Sequence, residues 1–122
     1  MENENYNKKI QQLEDDYERE KRCFEEELEQ TTLEKHRFNS LLEETVERLR
    51  STFSRQEDHD SLDLRHAYHM VEQAQEEGVN LVNNLTYKIE CVLEETEQQY
   101  KKQVTIYEEE RIISKKEEDL ND

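Results

Sequence analysis

The chain has 122 residues, of which 41% are charged and 31% are apolar, with one Gly, no Pro and no Trp. Helix-forming residues dominate and turn-forming residues are scarce, which is typical of long helices rather than of a compact globule. The net charge of −16 opposes binding to nucleic acid, whose phosphates need clustered Lys and Arg, and it disfavours anionic membranes for the same reason. A disordered chain also fits this charge, but disordered chains lack the sustained apolar periodicity seen below.

We expect no targeting signal at the beginning of the chain. Met1–Tyr6 contains two Glu and no apolar run, so we expect no signal peptide. No stretch approaches the roughly 20 apolar residues that a membrane span requires. The expected location is therefore the cytoplasm, and export together with a partner stays open.

The first predicted element is a helix from about residue 6 to about residue 53. Neither Gly nor Pro interrupts it, and its apolar side chains recur every three or four residues within an arc of only about 80°. An arc this narrow predicts that one stripe of the helix, called the seam, packs against a single partner helix. The seam residues expected on this helix are Phe24, Leu28, Phe38 and Leu42. Leu41 lies outside the arc.

A polar break at Ser54–Asp60 predicts a turn, and a second helix is expected from about residue 61 to about residue 116. Asp60 or Ser61 can cap its beginning. Between Leu64 and Leu93 its apolar arc widens to about 160°. The narrow first helix cannot cover so wide a stripe, so the pair must self-associate or accept a helix from another chain.

Together the two helices predict an all-α, coiled-coil-like antiparallel hairpin that forms a single domain. The assembly we expect is a heteromeric helical bundle, and self-association is the alternative. A turn centred near residue 58 makes the numbers of facing residues add up to about 116. Phe38 then meets Gly78, and Phe24 meets Val92. The seam residues expected on the second helix are Gly78, Leu85, Ile89 and Val92. The candidate partner-interface residues, which flank the seam, are Met70, Val79, Leu81, Leu93 and, on the first helix, Leu41.

Few side chains suggest chemistry. His66 and His69 share a helix face and His59 lies upstream, but no Cys is near them, so neither a metal nor a cofactor is expected. Cys23 and Cys91 lie at similar heights on opposite helices, which alone permits a disulfide, but their helical phases disagree and a cytoplasmic origin favours thiols. Catalytic carboxylates need an enclosed site, whereas two paired helices offer mainly solvated faces. We therefore expect no catalytic residue and a role in recognition.

The two-helix layout, the segment Tyr17–Leu28 and the closing stretch Tyr100–Glu118 resemble the small helical partner proteins encoded beside LXG-domain toxins of Gram-positive bacteria. Those proteins are acidic, hairpin-like relatives of the WXG-type substrates of type VII secretion. The resemblance implies that the chain binds the N-terminal helical domain of an LXG-type toxin, with a second small helical protein as a further partner. It also implies a role in targeting that toxin to secretion.

The chain differs from the secreted members of these families. It has no Trp-x-Gly at the turn, and Tyr107 is followed four residues later by Arg111 where their secretion signal has Asp or Glu. Tyr68 and Glu72 have the required spacing but lie near the start of the second helix. The resemblance therefore implies a targeting partner or chaperone rather than a self-sufficient substrate. The alternative function is that of a homo-oligomeric coiled-coil scaffold.

Overall fold

A computed structural model describes the backbone of residues 2–55 and 61–121 and the side chains of residues 3–55 and 63–120. All of these residues belong to two helices, α1 at Glu2–Arg55 and α2 at Ser61–Asn121. No strand occurs within the described ranges, and the two helices pack against each other. The predicted all-α two-helix hairpin is therefore confirmed.

The helices run beyond their predicted limits near the ends of the chain. α1 begins at Glu2 rather than near residue 6, and α2 continues to Asn121 rather than ending near residue 116. These end segments consist of Glu, Asn and Asp with a single Leu and contain neither Gly nor Pro, so nothing breaks the helix after the apolar pattern fades. Ser54 and Arg55, predicted in the turn, belong to α1. The rest of the predicted turn, residues 56–60, with His59 and the candidate cap Asp60, lies outside the described residues.

The hairpin divides into two compact units. Unit 1 comprises Met1–Glu26 and Ile89–Asp122, and unit 2 comprises Glu27–Lys88. Each unit therefore contains one segment of α1 and one segment of α2. The candidate site described below lies wholly within unit 2.

Side-chain contacts define an antiparallel register in unit 1. The rings of Tyr17 and Tyr100 stack with centroids 4.3 Å apart and planes 5° from parallel. Nearer the chain ends, the Arg111 guanidinium donates a hydrogen bond of 2.7 Å to Oδ1 of Asn7. Both pairs lie within about two residues of the register that the sequence predicts.

In unit 2 the register is defined by Phe38 and Gly78. A Cβ atom on Gly78 would lie only 2.5 Å from Cε1 of Phe38, closer than real Cβ atoms approach. The ring therefore lies directly against α2 at a residue that has no side chain, and a Cβ at this position would force the ring to move. The predicted meeting of Phe38 with Gly78 is confirmed.

The hairpin has very little core. Among the described residues, Ile89 is the only buried apolar side chain, at 7% exposure, and Thr31 and Ser114 are buried polar residues. Thr31 has its hydroxyl satisfied, because Oγ1 donates a hydrogen bond of 2.8 Å to the Glu27 carbonyl oxygen one turn earlier. Most other inner-face residues are only half-buried, since each has a helix on one side and solvent on the other.

Candidate functional site

Unit 2 contains an apolar groove between α1 and α2 with a volume of 510 Å³. The apolar side chains that line this groove, called here the unit 2 groove, are Phe38, Ala74, Val79, Leu81, Val82 and Leu85. Gly78 also lines it and lies directly against the Phe38 ring. Apolar side chains from two neighbouring helices thus converge on one open surface.

The polar side chains of the unit 2 groove include two carboxylates. Glu34 comes from α1 and Glu77 from α2, and both are exposed, whereas the neighbouring Lys35 is half-buried. Glu34 accepts a hydrogen bond of 3.5 Å from the side chain of Gln30. Within the described part of the chain, neither carboxylate forms an ion pair with Lys or Arg. The groove therefore presents negative charge beside apolar surface.

Two of the predicted partner-interface residues, Val79 and Leu81, line the unit 2 groove together with predicted seam residues. Leu81 is 69% exposed. Met70 is 57% exposed and precedes Leu81 by about three helical turns, so both lie on the same face of α2. Leu41, 58% exposed, instead lines a shallow pocket on α1 beside Leu33.

The structure differs from the predicted pattern at Val92 and Leu93. Val92, predicted in the seam, is 43% exposed, and Leu93, predicted at the partner interface, is half-buried. The heptad pattern steps three residues from Ile89 to Val92, whereas a step of four residues to Leu93 stays on the inner face. Phe24 is half-buried, and its contact with Val92 stays a prediction.

The other predicted seam residues fall into two groups. Leu28 and Leu42 are half-buried, as the inner face of a two-helix hairpin allows. Phe38 and Leu85 are exposed even though their phases point toward the seam. The reason is that both line the open unit 2 groove, which no third helix covers in this chain.

A larger groove of 870 Å³ also lies in unit 2, but most of the residues that line it are polar or charged. Its charged residues are Glu43, Glu44, Glu47, Arg48 and Arg50. A helix docked there would have to desolvate several of these charges, which costs free energy unless each one is paired. The smaller, more apolar unit 2 groove is therefore the better candidate for helix binding.

Burial, hydrogen bonding and nearby charge raise two pKa values in unit 1. Burial raises the pKa of the Tyr100 phenol, and the negative charge of Glu14 and Glu18, then Tyr17 and Glu108, raises it further. A hydrogen bond to Glu97, with an Nζ–Oε1 distance of 3.0 Å, raises the pKa of Lys101. The Tyr100 shift arises at the stacked contact with Tyr17 between the two helices, and the Lys101 shift arises at an ion pair on an exposed face of α2.

The structure also bears on the disulfide, the metal site and the membrane span that the sequence analysis considered. Cys23 and Cys91 are free, exposed thiols. Among the described residues, no group of three His, Cys, Asp or Glu side chains could hold a metal ion. No helix in the described ranges has the length and apolar character needed to cross a membrane.

Sequence reasoning missed Glu34 and Glu77 as members of the site. The available signal was helical spacing, because Glu34 precedes Phe38 by one turn and Glu77 precedes Leu81 by one turn. Charged residues are common on every face of this chain, so the spacing stands out only after the groove is known.

The chain was compared with known protein families, curated proteins and solved structures. No family model matches the chain, and neither a curated protein nor a solved structure matches it. What the chain does is therefore inferred from its own groove, charges and sequence pattern.

Proposed function

We propose that this protein is a non-enzymatic helical binding protein that associates with a helical domain of another chain. The observation that best supports the proposal is the exposed apolar surface of unit 2, above all Leu81 at 69% exposure. Burying a large apolar side chain stabilises by roughly 1.5–3 kcal/mol relative to leaving it in water. A helix docked on the unit 2 groove would bury several such side chains at once.

The partner we propose is the N-terminal helical domain of an LXG-type toxin, and the outcome of binding is delivery of that toxin to type VII secretion. This step is supported by the resemblance of Tyr17–Leu28 and Tyr100–Glu118 to the small partner proteins of such toxins. The hairpin fold is compatible with that role. The protein would act in the cytoplasm, and a second small helical protein would complete the bundle.

Self-association into a coiled-coil scaffold is the alternative, because a second copy could cover the same side chains. Sedimentation of the purified protein with and without the toxin domain separates the two functions. A stable homo-oligomer that does not take up the toxin domain would favour the scaffold.

The interface is tested by substitution on the exposed face of α2. We expect Leu81→Asp combined with Met70→Asp to weaken binding to the toxin's N-terminal domain at least tenfold, since each change places a charge in a contact that binding desolvates. A matched control is Ile113→Asp, which changes an exposed apolar residue of unit 1. Pull-down that survives the double substitution would place the interface elsewhere.

A further inference from the structure

We propose that the unit 2 groove binds one amphipathic helix of a different chain, and that Lys or Arg residues of this helix flank its apolar stripe. The inference rests on the proposed function of a helical binding protein and specifies the segment that is bound. The inference has two parts, the fit of the bound helix and the charge of the bound helix, and each part is argued from different residues of the groove.

The fit depends on Gly78. On α2 the groove residues Ala74, Gly78, Leu81 and Leu85 follow the spacing of a single helix face, as in grooves that accept an amphipathic helix. Because Gly78 has no Cβ, the Phe38 ring can approach the α2 backbone closely. A side chain at this position would force the ring to move and so change the surface that a docked helix contacts.

The charge of the bound helix follows from Glu34 and Glu77. The two carboxylates come from different helices, line the same groove, and have no cationic partner among the described residues. Lys35 also lines the groove, but it is half-buried whereas the two carboxylates are exposed. A docked helix with Lys or Arg beside its apolar stripe would pair with Glu34 and Glu77, and one with Glu there would be repelled.

A second copy of this chain is a poorer occupant. In a two-fold symmetric contact the same patch faces itself, so Glu34 and Glu77 of both copies would enter one interface whose only cationic groove residue is the half-buried Lys35 of each copy. Each copy also carries a net charge of −16. A helix from a different, positively charged chain avoids both repulsions.

The test uses two synthetic helical peptides with identical apolar positions, one flanked by Lys and the other by Glu. Fluorescence anisotropy with the full-length protein at low salt should show at least tenfold tighter binding of the Lys peptide. Combined Glu34→Lys and Glu77→Lys substitutions should reverse this preference, and added salt should reduce it. Combined Glu43→Lys and Glu47→Lys substitutions, which change the net charge equally at the other groove, should leave the preference largely unchanged.

Gly78→Ala tests the fit separately from the charge. We expect this variant to remain at least as helical as the wild type, because Ala favours helix, and to lose most of its affinity for the Lys peptide. Equal affinity for the two peptides, or a Lys preference that survives reversal of Glu34 and Glu77, would overturn the inference. So would a homodimer that Leu81→Asp dissociates, because a second copy would then occupy the groove.

These results are distinguishable from failure of the proposed function. If the Lys peptide binds as expected and the toxin domain does not bind, the toxin assignment fails and the groove inference stands. If the toxin domain binds equally well to the wild type and to Gly78→Ala, the binding function stands and the groove inference fails.

Discussion

At the residue scale, the stacked pair of Tyr17 and Tyr100 predicts alkaline sensitivity. Burial and nearby negative charge raise the pKa of Tyr100 above its ordinary value of 10.0. Because the folded-state pKa of Tyr100 exceeds the unfolded one, the neutral phenol contributes to the stability of the folded protein. This contribution is complete below a pH of about 10 and is lost as the pH rises through the folded pKa. We expect Tyr100→Phe to retain more helical ellipticity than the wild type in that alkaline range. Coincident circular-dichroism titrations of the two proteins would contradict this.

Gly78 and Phe38 should be energetically coupled. When Phe38 is replaced by Ala, Gly78→Ala should stabilise the protein by about 1 kcal/mol, since Ala is the better helix former. With Phe38 present the gain should be smaller by at least about 0.5 kcal/mol, because the new Cβ, at 2.5 Å from Cε1, forces the ring to move. Urea unfolding of the four proteins in this double-mutant cycle measures the coupling, and additive effects would show that the ring does not depend on Gly78.

At the element scale, the helices and their pairing follow directly from the sequence. The three- and four-residue spacing of apolar side chains predicts both elements, and the position of the polar break predicts that Phe38 meets Gly78. The sequence did not predict that Leu93, rather than Val92, lies on the inner face. Two neighbouring apolar residues satisfy a heptad pattern almost equally well. The unit 2 groove was not predicted either, since its form depends on how the Phe38 ring packs.

Substitutions on the two faces of unit 2 should separate folding from binding. Leu28 is half-buried on the inner face of α1, so Leu28→Asp should lower the free energy of unfolding by about 2 kcal/mol or more. Leu81 is largely exposed, and Leu81→Asp should leave the thermal midpoint of the isolated protein nearly unchanged. Thermal melts followed by circular dichroism compare the two variants. A large drop for Leu81→Asp would mean that this side chain supports the hairpin itself.

At the scale of the whole molecule, the small core predicts stability that depends on association. Only Ile89 is a buried apolar residue among the described side chains, so the hairpin alone buries little surface. A partner that binds only the folded state, present at about 100 times its dissociation constant, should add about 2.7 kcal/mol. Thermal melts with increasing amounts of the toxin's N-terminal domain should show a rising midpoint. A midpoint that does not respond would count against partnership with that domain.

The proposed targeting role makes a prediction in the cell. Deleting the gene should reduce export or accumulation of one LXG-type toxin and leave the toxin's catalytic activity unchanged, because the protein is proposed to bind the toxin's helical N-terminal domain. The unit 2 groove presents apolar anchors at helical spacing, which match a helix better than the cleft of a toxin enzyme. Binding should therefore occur with the separated N-terminal half of the toxin and not with its C-terminal half.

Re-expression of Leu81→Asp with Met70→Asp should fail to restore export, whereas Ile113→Asp should restore it. Normal export in the deletion strain, or binding only to the C-terminal half as an immunity protein would show, would favour another function for this hairpin.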